Sequence, residues 1–185
     1  MSSGVTDTPL PPDADLPEQI EWQGRFVEVR RRGRWEYAGR PRNIRAAAIL
    51  ALDDGHVLLV EQYRIPVGRR CLELPAGLIG DEQAEDDALT AAARELEEET
   101  GYRADVLENC GDFYSSTGML SESYTLVKAT GLTRIGPGGG TEHEDIVVHK
   151  VPVPGVAAFV DRQRALGHGI DSKILLLLAS GLLKD

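Results

Sequence analysis

The chain has 185 residues, 42% of them apolar and 27% charged, and 30 acidic against 20 basic side chains give it a net charge of −10. That is the length of one domain with a sizeable core, in the composition of an ordinary globular protein. The acidic balance argues against nucleic acid or an anionic membrane as the main partner.

No stretch approaches a membrane span, and the N-terminus lacks the apolar core of a secretion signal. Cys71 and Cys110 form neither a disulfide framework nor a zinc spacing, and both are expected to be buried thiols in a reducing cytoplasm. The histidines (His56, His143, His149, His168) are scattered, and each is expected at the surface or in a loop.

Residues 1–18 are rich in Pro, Ser, Asp and Thr, the composition of a mobile tail. Residues 19–43 form a separate segment: alternating runs around Phe26 to Arg30 and Trp35 to Tyr37, with Arg31 to Arg34 as the turn, predict a hairpin. Its aromatic residues Trp22, Phe26 and Trp35 need a covering surface. From 44 to 185 the pattern predicts one α/β domain. Strands are expected at Ile44–Leu52 and His56–Gln62 around Asp53-Asp54-Gly55, and at Cys71–Leu74. A helix follows from about Glu85 to Thr100. Further strands are expected at Val106–Ser115, Glu122–Lys128 and Ile146–Val151, with loops at Ser116–Ser121 and Gly131–Thr141. Helices are expected within Val153–Gly167 and Asp171–Leu183, the second apolar all round at Ile174 to Leu178 and so buried against the sheet. Strands interleaved with helices imply a mixed central sheet between helical layers.

At about 100° per residue, Leu89, Ala92, Ala93, Leu96 and Thr100 form a buried stripe on the first helix. Glu95, Glu98 and Glu99 share a flank beside it, while Glu97 points away. Like charges at this spacing repel, and they precede Gly101, an expected left-handed cap where the helix dipole favours cations. Such a cluster is either a solvated acidic face or the seat of a hard divalent cation such as Mg²⁺ or Mn²⁺.

The order of residues distinguishes these readings. Gly80, five residues, Asp86, seven residues, Arg94-Glu95-Leu96, one residue, Glu98-Glu99, one residue and Gly101-Tyr102 resembles the Nudix hydrolase box. Asp86 is its one departure, standing where the family has Glu. The resemblance implies an α/β/α sandwich and divalent-metal hydrolysis of a diphosphate. It implies Glu95 and Glu99 as metal ligands, Glu98 as a further ligand or a base for water, and Arg94 as the residue that orients the carboxylates. The Ala76 carbonyl, within Leu74-Pro75-Ala76-Gly77, would also reach a metal.

Other segments resemble the ADP-ribose pyrophosphatase branch of that family. They are Glu61-Gln62-Tyr63-Arg64, Leu72 to Gly77, and Glu142-His143-Glu144-Asp145-Ile146. The branch implies Glu142 as general base and Glu144 as a supplementary metal contact, on a loop whose motion the preceding glycines permit; an acidic surface turn is the plainer alternative. It implies a homodimer joined through the hairpin. Phe26 and Trp35 would sandwich adenine, Glu36 would read a base-edge amino group, and Arg40 and Arg64 would meet phosphate or ribose. The aromatics would otherwise simply fill a dimer core. Thr117, in Ser116-Thr117-Gly118, stands where the branch carries a Pro that marks ADP-ribose specificity. The expected protein is therefore a cytoplasmic, homodimeric pyrophosphatase acting on a nucleoside diphosphate derivative, with ADP-ribose favoured. A GDP-mannose or other nucleotide-sugar pyrophosphatase is the alternative enzyme, and a non-catalytic ADP-ribose sensor the alternative class.

Overall fold

The computed structural model describes residues 9–80, 87–141 and 144–183. The chain forms two compact units, Met1–Asn43 with Ser116–Glu122, and Ile44–Ser115 with Ser123–Asp185.

The first unit is a three-stranded antiparallel sheet, not a two-stranded hairpin: β1 (Gln19–Gln23), β2 (Glu28–Arg32) and β3 (Trp35–Gly39). Gly33 turns β2 into β3 with φ +57°, in the left-handed region where a side chain is disfavoured. Ser116–Glu122 adds to the unit: the Ala38 N–H donates to the Met119 carbonyl at 2.9 Å, and the Ser121 N–H to the Ala38 carbonyl at 2.9 Å. Buried Glu28 accepts from buried Arg30 at 2.9 Å. The segment read as a tail is tied down from Asp13 onward, because Arg34 donates to Asp13 at 2.8 Å and Arg30 to Glu18 at 3.3 Å.

In the second unit the strands are β4 (Arg45–Asp53), β5 (His56–Arg64), β6 (Arg69–Glu73), β7 (Ala76–Ile79), β8 (Tyr102–Tyr114), β9 (Ser123–Arg134), β10 (Val147–Pro152) and β11 (Gly169–Ile170). They form a mixed sheet in the order β11-β6-β5-β4-β9-β8, with β10 on β5 and β7 on β4. The β4–β9 and β6–β11 pairs are parallel. Asp54 and Gly55, with φ of 44° and 72°, make the tight two-residue β4–β5 turn, as their types favour. The helices are α1 (Ala88–Glu95), α2 (Val156–Ala165) and α3 (Leu175–Leu182).

Alternation along β4 builds both sides of the core. Ala47, Ile49 and Ala51 pack with Ala88, Ala91, Ala92 and Leu96 of the α1 region. Ala48, from the other face of the same strand, packs with Val156 and Val160 of α2 and with Ile174. The helices thus cover opposite faces of one sheet.

Several expectations need correction. β7 and β11 were not foreseen, and β9 runs on to Arg134, through the start of the expected glycine loop. The buried stripe of α1 uses Ala88 and Ala91, with Leu89 and Ala93 only half-buried. Cys110 is exposed on β8, whereas Cys71 is buried. Leu175 and Leu176 are exposed, while Leu177 and Leu178 pack on the core, so the apolar α3 is covered on one side only, where burial all round was expected. His149 lies half-buried and hydrogen-bonded on β10, whereas His168 lies in a loop as expected, bonded to Gln163. Among the described residues no helix is long and apolar enough to cross a membrane.

Candidate active site

The site grows from α1 and the chain that follows it. Asp87 caps the helix by accepting from the Thr90 N–H at 2.8 Å. Glu85 and Asp86, where the helix start and the departing box residue were expected, lie outside the described residues. After Glu95 the winding widens into a π-helical turn, Leu96–Thr100, closed by Gly101 in the left-handed conformation at φ 74°. Wide turns of this kind are rare and recur at functional sites.

The carboxylates on this turn differ sharply in burial. Glu99 is 6% exposed, whereas Glu98 is exposed to solvent. Glu97 points away and pairs with Arg103 at 2.6 Å. The Glu99 carboxylate accepts from the Ala76 N–H at 3.0 Å. Burial, and then the negative charges of Glu95 and Glu144, push its pKa up to about 8 against the partial relief of that N–H and of Arg64.

β7 supports Glu95 from beneath. A β-carbon at Gly77 would fall 1.9 Å from the Glu95 carboxyl carbon, so only glycine leaves the carboxylate its place. Arg94 reaches Glu95 at 3.3 Å and the Leu78 carbonyl at 3.5 Å, which joins the box helix to the strand. Arg64 holds both oxygens of Glu73 at 2.8 Å in a fork-to-fork pair. The pair leaves Arg64 further donors and raises its pKa, with Glu99 contributing.

The glycine run is docked on the carboxylate turn, where sequence suggested a soft hinge. The Gly139 N–H donates to the Glu99 carbonyl at 2.8 Å and the Gly140 N–H to the Glu98 carbonyl at 3.0 Å. Gly138 stands so close that a β-carbon would lie 2.4 Å from the Thr100 carbonyl carbon. Beyond the run, Glu144 accepts from the Thr141 N–H at 2.9 Å. Glu142 and His143 lie outside the described residues.

Sequence reasoning missed a polar network behind this loop. Glu61, 8% exposed, accepts from Arg70 at 2.5 Å and meets His149 Nε2 at 3.0 Å. Burial pushes the Glu61 carboxyl up, but the bonds from Arg70 and His149 outweigh it and hold it below the usual range. Charged residues inside apolar strands (Glu61 after Val57 to Val60, Glu73 between Leu72 and Leu74) were the available signal, since a buried charge demands a partner.

In the first unit Phe26 and Trp35 are 63% and 52% exposed, and Trp22 is 57% exposed. Arg25 lies over the Phe26 ring at 4.9 Å. Glu36 is exposed opposite Arg31, and Arg40 pairs with Glu122 at 2.5 Å.

Among the described residues no three His, Cys, Asp or Glu side chains form a group able to hold an ion unaided. Mg²⁺ commonly takes one or two protein carboxylates and completes its shell with water and substrate phosphate. A carboxylate whose pKa is raised first by burial and then by neighbouring Glu95 and Glu144, with Gly77 leaving room for Glu95, fits such a cation.

A family model described as NUDIX domain matches residues 41–154. An uncharacterised Nudix hydrolase of Schizosaccharomyces pombe is 37% identical over 120 residues, covering 60% of this chain and 56% of that protein. An ADP-ribose pyrophosphatase of Mycobacterium tuberculosis is 41% identical over 119 residues, 63% of this chain and 56% of that one. The matches thus span little more than half of these relatives. A crystal structure described as an ADP compounds hydrolase superposes with a TM-score of 0.67 over 90% of this chain and 92% of its own, at 23% identity, and shares its fold. With the box, the sheet between helices and the domain match together, the chain belongs to the NUDIX domain family.

Proposed function

We propose that this chain hydrolyses the diphosphate bond of a nucleoside diphosphate derivative, with ADP-ribose as substrate and AMP and ribose 5-phosphate as products. The observation that carries the reading is the Glu99 carboxylate, fixed by the Ala76 N–H and raised by burial and then by the charges of Glu95 and Glu144, a site short of positive charge. Family membership and a relative named ADP-ribose pyrophosphatase support it.

In this reading Glu95 and Glu99 hold Mg²⁺ or Mn²⁺, with the Ala76 carbonyl and Glu144 as further contacts. The bound cations would neutralise the diphosphate and lower the pKa of water. Arg94 keeps Glu95 against β7. Glu98, on the exposed side of the turn, serves as a ligand or takes a proton from water, and Glu142 is the general base. Arg64 and Arg40 meet phosphate or ribose. Phe26 and Trp35 stack on adenine, and Glu36 accepts from its amino group. Pairing two chains through the first unit covers Trp22, Phe26 and Trp35, so the working form is a homodimer, placed in the cytoplasm.

Thr117 favours a second reading, a nucleotide-sugar pyrophosphatase on the same catalytic machinery. A panel of ADP-ribose, GDP-mannose and related diphosphates, assayed with Mg²⁺ and with products identified by mass, separates the two. The highest kcat/KM on ADP-ribose supports the first reading. A preference for GDP-mannose moves the assignment to the second, and tight binding of ADP-ribose without turnover would make the chain a sensor.

A further inference from the structure

We propose that Arg70, outside the carboxylate cluster, is a positioning residue that fixes the Glu144 loop against the box helix. This rests on the proposed diphosphate hydrolysis for its kinetic part and on geometry alone for its structural part. Arg70 lies on β6 and uses its planar fork on three acceptors. Nε donates to Glu61 at 2.5 Å, Nη1 to the Asp145 carboxylate at 2.6 Å, and Nη2 to the Asp145 backbone carbonyl at 3.0 Å. The bond to the main-chain carbonyl matters most, because it restrains the loop and not merely a side chain. Asp145 is largely exposed, so its carboxylate alone would be a weak, solvent-screened anchor.

Behind Arg70 the restraint is rigid. Glu61 is buried on β5, and its second oxygen meets His149 of β10 at 3.0 Å, with His168 at 3.8 Å. His149 is on the strand that the loop enters, and that strand pairs with β5 at Val147 opposite Glu61. The network therefore ties the loop's exit to two strands. At the other end, the N–H groups of Gly139 and Gly140 are spent on the carbonyls of Glu99 and Glu98. Glu144 sits between these two anchors: its carboxylate accepts from the Thr141 N–H at 2.9 Å, and a β-carbon on Gly140 would lie 2.7 Å from it. With Gly139 and Gly140 bonded to the box helix on one side and Asp145 bonded to Arg70 on the other, Glu144 is kept beside the glycines that dock on that helix.

The geometry requires a guanidinium. Lysine offers a point charge on a flexible stem and cannot serve three acceptors in one plane. Supporting groups of this kind alter metal affinity or rate by about 10–100-fold when lost.

The test compares hydrogen exchange and kinetics in wild type, Arg70→Ala and Arg70→Lys. The expected result is faster exchange confined to Glu144–Ile146, a lower kcat, a higher Mg²⁺ requirement, and a KM for the diphosphate substrate that changes little. Arg70→Lys should recover less than half of the lost protection. Glu61→Gln gives a milder variant should Arg70→Ala fold poorly, with a smaller increase in the same amides. Unchanged exchange at Glu144–Ile146 overturns the proposal, as does acceleration spread evenly over the sheet, which marks general destabilisation. If the wild type cleaves no diphosphate, the proposed function fails while the exchange pattern still decides whether Arg70 holds the loop.

Discussion

Gly77 and Glu95 are packed so tightly that no side chain fits between them, since a β-carbon on Gly77 would stand 1.9 Å from the Glu95 carboxyl carbon. The strand floor and the box helix therefore define one another. Gly77→Ala should displace Glu95 and raise the Mg²⁺ concentration needed for half-maximal activity. Circular dichroism should show the fold retained, because the neighbour that must move is a side chain. Unaltered Mg²⁺ dependence in a folded Gly77→Ala protein would remove Glu95 from the metal site.

Glu99→Gln keeps the shape of the side chain and the acceptor for the Ala76 N–H while deleting the charge. If Glu99 holds the cation as proposed, turnover should fall by orders of magnitude, because a ligand and its charge disappear together. Above about pH 8, where the wild-type carboxyl is ionised, the metal-free variant should be at least as stable as wild type, since repulsion from Glu95 and Glu144 is relieved. Near-wild-type activity at saturating Mg²⁺ would contradict the assignment.

The same carboxyl sets a pH dependence in metal-free protein. Folding raises its pKa from 4.5 to about 8, so across that window the folded chain holds more protons than the unfolded one. Stability therefore falls as pH rises through it. Denaturant melts in a chelator should show a loss of stability between these values that is absent in Glu99→Gln. Adding Mg²⁺ should offset the loss at the upper end, because the cation binds only the folded form.

How far the site could be read in advance follows the range of the interactions involved. The box spacing, the left-handed Gly101 and the outward Glu97 depend on neighbours within one or two turns, and these were legible. Why Glu99 becomes buried was not, because it follows from the π-helical turn and from Ala76, 23 residues away. The glycine run looked like a hinge because glycine permits both motion and close approach, and only the fold shows Gly138 pressed on Thr100. β7 has four residues, and its neighbour across the sheet is distant in sequence, so no local period announced it. Arg70 had no sequence signal at all; its three acceptors lie 9 and 75 residues away.

The exposed aromatics of the first unit yield a separate prediction. Light scattering should give a dimer at micromolar concentration. Trp35→Ala should weaken ADP-ribose binding by about 1–3 kcal/mol if the ring stacks on a base. The loss should appear in KM more than in kcat, because adenine lies far from the phosphorus under attack. Dissociation to a monomer of unchanged affinity would make Trp35 an interface residue only.

The central claim is that the carboxylates around Glu99 serve divalent-metal hydrolysis of ADP-ribose. Phosphorus NMR of ADP-ribose incubated with the protein tests it most directly, with Mg²⁺ in one sample and excess EDTA in the other. The diphosphate signals should give way to two phosphomonoester signals with Mg²⁺ and persist with EDTA. Intact diphosphate in the Mg²⁺ sample, or cleavage that EDTA does not slow, would contradict the account.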